Sequence, residues 1–255
     1  GFNNEVIDDE EIIAKALEEY RKIYDTNIKK YKKKMKEMKE KRDRNKEVNQ
    51  SVYIPYIIQD EILKSCDEYY LYNNIGQIII PCGTGKTVIG LHVGKNITSD
   101  KIIIGVPCNL LISQWEDKIL DILPDHKIMC VSSKKKPKNS TSIYTTNENK
   151  IKKFVENNDK IVVISNYQSC NKLRPYKFNF KIGDECHHLS GKNKNKDGYR
   201  CFHTINSDKS LFLTATKRNI ENISDNDTEI YSMDNIEQFG NIIYEQNLRW
   251  AIDKG

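Results

Sequence analysis

The seven residues Pro81-Cys82-Gly83-Thr84-Gly85-Lys86-Thr87, directly after the apolar run Gly76 to Ile80, constrain this chain more than any other feature. Gly83 and Gly85 let the backbone wrap closely and point its N–H groups at phosphate oxygens. Lys86 then stands where it can reach the β- and γ-phosphates of ATP, and the Thr87 hydroxyl where it can ligate Mg²⁺. Val88 to Lys95 reads as a helix whose N-terminus adds its positive dipole end. The general pattern G-x-x-x-x-G-K-[ST] asks for a glycine where Ile80 stands. The match therefore rests on the order of strand, Gly-Thr-Gly-Lys-Thr and helix, and the plain alternative is a glycine-rich turn before a helix.

Such a loop needs a strand and helix frame, and the chain supplies one. Further β-branched runs occur at Lys101 to Val106, Lys127 to Val131, Lys160 to Ile164, Phe178 to Ile182 and Leu211 to Leu213. They are apolar nearly throughout, as strands buried on both faces of a parallel sheet must be. Alternation with helical patterns predicts a mostly parallel, doubly wound α/β domain with helices on both faces. Two polar stretches, residues 134–150 and 191–200, have loop composition and read as mobile. Their lysine-rich parts, 134–138 and 192–196, read equally as solvated loops or as steering charge for nucleic acid.

Before this domain, residues 9 to 47 contain neither Pro nor Gly. Ile13, Leu17, Tyr20, Tyr24, Ile28, Tyr31, Met35 and Met38 recur at spacings of three and four, which predicts one long N-terminal helix. From Lys29 its surface is densely basic, a solvated face first and a phosphate contact second. The division is a helical arm over 1–50 and an ATP-binding domain over 51–255.

Composition bounds the setting. The 255 residues carry 41 basic and 36 acidic side chains, a net charge of +5 that is compatible with nucleic acid without arguing for it. The seven cysteines form no CxxC pair, so zinc-ribbon spacing is absent and reduced, intracellular thiols are expected. No apolar run approaches the roughly 20 residues that cross a bilayer. The expectation is a soluble intracellular protein with no membrane partner.

The second chemical signal closes the strand Phe178 to Ile182: Gly183-Asp184-Glu185-Cys186-His187-His188. A carboxylate pair at the carboxyl end of a parallel strand sits where α/β proteins place ligands. Asp184 can hold Mg²⁺ there, and Glu185 can orient and activate an attacking water.

Together, Pro-Cys-Gly-Thr-Gly-Lys-Thr and Asp-Glu-Cys-His-His resemble motifs I and II of superfamily 2 helicases of the DExH type. The resemblance implies a RecA-like P-loop NTPase lobe with ATP and Mg²⁺ as its ligands. It extends through Val106 to Trp115, similar to motif Ia, and Ile164 to Ser169, similar to the next strand-end motif. It thereby implies nucleic-acid backbone contacts at Pro107, Cys108, Asn109, Gln114, Ser165, Asn166 and Tyr167. Leu211 to Thr216 resembles motif III, implying that His187, Thr214, Ala215 and Thr216 couple the nucleotide site to the polymer track. Gln59 stands where the family places an adenine-reading glutamine, although Ile58 occupies the usual aromatic position and Tyr56 lies three back. Motif III is commonly followed by Pro, whereas Lys217 and Arg218 follow here. Tyr231 to Asp234, Phe239 to Tyr244 and Leu248 to Ile252 resemble the exit from a first lobe.

The resemblance spans residues 51–255 and includes nothing like a second lobe, which in this family supplies the arginine finger. The expectation is one half of a two-lobed motor whose other lobe lies in the same full-length polypeptide. Lys86, Asp184 and Glu185 are the expected catalytic residues, with Pro81 to Thr87 and Gln59 around the nucleotide. An ATP-dependent helicase or translocase is expected, on DNA in preference to RNA. The alternatives are a nucleic-acid-stimulated ATPase of a restriction, defence or remodelling complex that does not unwind, and a nucleotide-switched binding module. Trp115 is expected to pack on the sheet rather than stack on a base. His187 lacks a second metal ligand at suitable spacing, His188 has no assigned role, and His92 reads as a core or surface histidine.

Overall fold

The computed structural model describes residues 57–97, 99–138, 140–191, 197–220 and 230–247, together with residues 18, 22 and 249. Apart from residues 18 and 22, the long N-terminal helix expected over 9–47 lies outside these residues, as do residues 250–255. Tyr53–Leu248 forms one compact unit, to which everything below belongs.

Eight strands make a single sheet: β1 (Ile75–Ile79), β2 (Lys101–Val106), β3 (Lys127–Val131), β4 (Ile143–Tyr144), β5 (Ile161–Asn166), β6 (Phe178–Asp184), β7 (Ser207–Thr214) and β8 (Asn241–Glu245). Their order is β4-β3-β5-β2-β6-β7-β1-β8, and every pairing is parallel. The helices are α1 (Ile57–Tyr69), which precedes β1, and in the connections between strands α2 (Lys86–Asn96), α3 (Asn109–Ile122), α4 (Glu148–Glu156), α5 (Asp197–Thr204) and the single turn α6 (Ile236–Phe239). Short 3₁₀ segments at Tyr167–Leu173 and Cys186–Leu189 follow β5 and β6.

Successive side chains of the central strands enter opposite layers, so both must be apolar. On one face Ile102, Phe180, Ile182 and Leu213 meet α2, close enough that only glycine fits at Gly90 and Gly94 without displacing a neighbour. On the other face Ile103, Val163, Phe212 and Met129 join Tyr167, Phe202 and Phe239 in one buried cluster. Burial of each large aliphatic or aromatic side chain contributes about 1.5–3 kcal/mol, which makes this double layer the main source of stability.

The outer strands depart from the sequence expectation. The sheet is wholly parallel. Ser142 to Glu148, expected within a mobile loop, supplies β4 and the start of α4. The reason is Glu116 on α3, whose carboxylate accepts hydrogen bonds from Ser140 and, at 2.7 Å, from the Tyr144 hydroxyl. Burial alone would raise this carboxyl, but the bonds from Ser140, Ser142 and Tyr144 outweigh it and hold it low. Likewise Asp197 to Arg200 belongs to helix α5, while 192–196 lie outside the described residues. β8 is a further strand, held because the buried Gln77 amide donates to the Met233 and Gly240 carbonyls at 2.9 and 3.0 Å.

Candidate nucleotide and polymer site

The strand order brings the expected residues to one edge of the sheet. β6, β7 and β1 are consecutive, so the carboxyl ends of three strands place Asp184, Thr214 and the phosphate loop side by side. On the far side of β6 lie β2, β5 and β3, also consecutive, which gathers Pro107 to Asn109, Asn166 and Ser132 next to that group.

The phosphate loop has the backbone its glycines foretell. Gly83 and Gly85 adopt φ values of 86° and 85°, in the left-handed region that β-carbon-bearing residues avoid. Gly85 immediately precedes α2, and an added Cβ there would run into the Gln59 side-chain amide. Gln59 itself is buried against the loop, donating from Nε2 to the Thr84 carbonyl at 3.2 Å. The Thr84 hydroxyl donates to the Pro81 carbonyl at 2.7 Å and closes the turn.

Lys86 opens α2 and is only 9 % exposed. Its ammonium has the Ile80 carbonyl at 3.4 Å, Cys82 Sγ at 3.8 Å and Glu185 Oε1 at 3.8 Å. A buried cation whose contacts are this long is poorly satisfied, and a phosphate group at the loop fits that need. Thr87 follows in the first turn of the helix, half-buried.

Asp184 ends β6 and is buried. Its Oδ2 accepts from the Trp115 indole N–H at 2.8 Å, its Oδ1 from the Glu185 N–H at 3.0 Å, and its main-chain carbonyl from the Tyr167 hydroxyl at 2.6 Å. Burial pushes its carboxyl up to about 6, with the neighbouring Glu185 charge in the same direction and the Trp115 bond opposing. A carboxylate of this kind, beside a phosphate loop, fits a hard divalent cation.

Glu185 is the one non-glycine residue with positive φ (47°) among those described. A left-handed L-residue costs about 1–2 kcal/mol, and such strain concentrates at functional sites. It turns the Glu185 carboxylate towards Lys86 and towards Thr214, whose Oγ1 lies 3.5 Å from Oε2. His187 Nδ1 lies 2.9 Å from Thr214 Oγ1 and 3.4 Å from Glu185 Oε2. Burial, then the adjacent His188, lower the His187 pKa and favour the neutral imidazole. Thr214 also accepts from the Thr216 N–H at 3.1 Å, so Thr214, Ala215 and Thr216 form a hooked turn at the end of β7.

In the other half of the edge, Asn109 is a hub. Its Oδ1 accepts from Ser132 Oγ at 2.8 Å and Asn166 Nδ2 at 2.9 Å, and its carbonyl from Lys134 Nζ at 3.3 Å. Cys108 and Gln114 are exposed and Pro107 is half-buried. Ser165 and Tyr167 are fully buried, and their hydroxyls bond inward to Val131, Asn166 and Asp184 carbonyls. Their side chains therefore do not face solvent. Trp115 is also fully buried, as expected of a residue packed on the sheet. Its bond to Asp184, the Tyr167 bond to the same residue and the Glu185 backbone are features that sequence reasoning missed. No periodicity or spacing signals them. Among the described residues no group of three or more His, Cys, Asp or Glu side chains is arranged to hold a metal, and all seven cysteines are free thiols. No described helix is long and apolar enough to cross a membrane.

Comparison with known proteins fits this geometry. The family model described as "Type III restriction enzyme, res subunit" matches residues 53–219. The chain belongs to that family. It is a superfamily 2 helicase-type ATPase motor domain. The "Probable helicase A859L" of African swine fever virus (isolate Pig/Kenya/KEN-50/1950) is 30 % identical over 178 residues, which are 68 % of this chain and 20 % of that protein. The chain thus spans about a fifth of the length of the curated relatives it matches. Among solved structures, the Type ISP restriction-modification enzyme LlaBIII bound to DNA aligns with a TM-score of 0.65 at 22 % identity, covering 79 % of this chain and 15 % of that one. A nuclease-deletion mutant of the Type ISP enzyme LlaGI, in complex with a DNA substrate mimic, aligns with a TM-score of 0.62 at 21 % identity over 79 % of this chain and 20 % of that one. These two likenesses establish a RecA-like fold.

Proposed function

We propose that this domain is the ATP-binding lobe of a helicase or translocase that moves along nucleic acid, with DNA favoured over RNA. The observation that carries the reading is the convergence of a buried, under-satisfied Lys86, a phosphate loop with two left-handed glycines, and the Asp184-Glu185 pair on one sheet edge. The DNA-bound relatives named above support the choice of polymer.

In this reading the backbone N–H groups of Cys82 to Thr87 and the N-terminus of α2 cradle the phosphates, and Lys86 turns from Glu185 to the β- and γ-phosphates. Gln59 buttresses the loop and stands beside it to read adenine. Thr87 and Asp184 would hold Mg²⁺, which when bound neutralises charge developing on the phosphates. Glu185, released from Lys86, orients the attacking water and accepts its proton. His187 holds Glu185 and Thr214 in register, so that motif III moves with the nucleotide site. Pro107, Cys108, Asn109, Gln114 and Asn166 hold the polymer backbone, contacts that carry no sequence information and so suit a motor. A second lobe, in the same full-length polypeptide, supplies the arginine that completes the transition state, a group on the order of 10³–10⁵ in rate.

A fluorescent ATP analogue with Mg²⁺ tests the assignment of the site: Lys86→Ala is expected to weaken binding by about tenfold or more, the equivalent of 1.4 kcal/mol. Equal affinity in both proteins would place the nucleotide elsewhere. Strand displacement by the full-length protein separates a helicase from a restriction-type motor that hydrolyses ATP without unwinding.

A further inference from the structure

Asp184 links the polymer half of the sheet edge to the nucleotide half. Asp184 receives the Trp115 indole N–H on its carboxylate and the Tyr167 hydroxyl on its carbonyl, at 2.8 and 2.6 Å. The two donors come from different segments. Trp115 lies on α3, the helix that begins at Asn109, and Tyr167 directly follows Asn166. Near the sheet edge these same segments are tied again, the buried Asn166 donating from Nδ2 to Oδ1 of the half-buried Asn109 at 2.9 Å. The result is a closed circuit: Asn109, α3, Trp115, Asp184, Tyr167, Asn166 and back to Asn109.

We propose that Trp115 and Tyr167 are positioning residues that convey occupancy of the polymer track to Asp184, so that polymer binding sets the orientation of the carboxylate facing the phosphate loop. This rests on the proposed function, since it presumes that Asn109 and Asn166 touch the polymer and that Asp184 serves the nucleotide.

Three physical features favour the role. An indole N–H only donates, so Trp115 has no other way to satisfy itself when buried, and its movement with α3 must drag or release the carboxylate. Both rings are fully buried, and the core around them leaves no slack. A Cβ on Gly90 would sit 3.2 Å from the Trp115 ring, and one on Gly105 about 2.5 Å from the Tyr167 ring. Close-packed interiors transmit displacements rather than absorb them. Finally, Glu185, the next residue, already sits in a strained left-handed conformation, so a small shift of Asp184 re-aims the neighbouring carboxylate as well. Asp184 is thus held from the polymer side through both its side chain and its main chain.

The test is a linkage measurement on the full-length protein. The Kd of a non-hydrolysable ATP analogue with Mg²⁺ is measured with and without a saturating single-stranded oligonucleotide, in wild type, Trp115→Phe and Tyr167→Phe. Tyr167→Phe keeps the ring and removes one donor, whereas Trp115→Phe removes the donor together with part of the buried ring volume. Allosteric coupling factors are typically about 5–150-fold, and the wild-type ratio is expected in that range. Each variant is expected to lower the ratio by about threefold or more while binding the oligonucleotide alone within about twofold of wild type. Reciprocity requires the same factor when the oligonucleotide is titrated with and without the analogue. A purely structural role would weaken both affinities and the melting temperature without changing the ratio, and would overturn the proposal. So would an unchanged ratio in Tyr167→Phe, the milder variant, should Trp115→Phe fail to fold. A wild-type protein that binds nucleotide but no polymer would overturn the motor reading and this proposal together. Wild-type coupling that survives both substitutions would overturn the proposal alone.

Discussion

Glu185 offers a prediction that separates backbone strain from side-chain chemistry. Its φ of 47° and ψ of 51° place an L-residue in the left-handed helical region, which costs about 1–2 kcal/mol relative to glycine. Glycine in turn loses more freedom on folding, an effect of about 0.4–1 kcal/mol against alanine. Comparing Glu185→Gly with Glu185→Ala cancels the loss of the carboxylate, since both variants lack its contacts with Lys86, Thr214 and His187. The difference that remains favours glycine by about 0.8 kcal/mol, the middle of a span of about 0–1.6. In an ordinary helix the sign is the reverse, alanine being better by about 1 kcal/mol. For a domain of this size the gap corresponds to about 1–4 °C in Tm. Both variants should fall in ATP hydrolysis by about a hundredfold or more, because proton acceptance and water orientation are lost together. Thermal and urea unfolding of the two proteins decide the matter. If Glu185→Ala is as stable as Glu185→Gly, the backbone at this position is not strained and the argument from its conformation fails.

Other consequences can be checked separately. Gly85→Ala must hold a left-handed residue and displace the Gln59 amide, so nucleotide affinity is expected to fall by about tenfold or more; equilibrium titration with a fluorescent nucleotide reads it. His203, half-buried with its ring packed on Phe212, Tyr231 and Phe239, is lowered by desolvation from 6.5 to about 3. The unfolded chain therefore binds the extra proton first, and this histidine's contribution to stability is lost as pH falls from about 6.5 towards 3, at up to about 1.4 kcal/mol per pH unit. Asp184, raised to about 6, acts in the opposite sense between about 6 and 3.8. Urea midpoints of wild type and His203→Phe across pH 4–7 isolate the histidine, and parallel curves would refute its burial as a neutral group. Glu116→Ala leaves Ser140 and Tyr144 without their acceptor, so trypsin should cut at Lys134 to Lys138 faster than in wild type; an unchanged rate would mean that the carboxylate does not hold this edge.

The central strands were legible because burial on both faces demands continuous apolar runs, and β2 and β3 have the bounds their sequences foretell. β7 begins four residues earlier than its apolar stretch, since Ser207 to Ser210 pair at the sheet's margin where polar side chains are tolerated. β4 and β8 were illegible for the same reason: edge strands are short and half-exposed, and their support comes from Glu116 and Gln77, each far away in the chain. Within the site, the phosphate loop and the Asp184-Glu185 pair are local patterns and could be read. Trp115 bonding to Asp184 spans 69 residues, and Tyr167 bonding to it spans 17. Only the strand order brings them together, and a one-dimensional reading assigned Tyr167 to the polymer surface although its side chain lies wholly inside.

The most direct test of the account is Mg-ATP hydrolysis by the full-length protein, with and without single-stranded DNA or RNA, with Lys86→Ala as the control. Hydrolysis is expected to be stimulated by a polymer, by DNA more than by RNA, and abolished by the substitution. Tight nucleotide binding with no hydrolysis on any polymer would contradict it and leave a nucleotide-switched binding module in place of a motor.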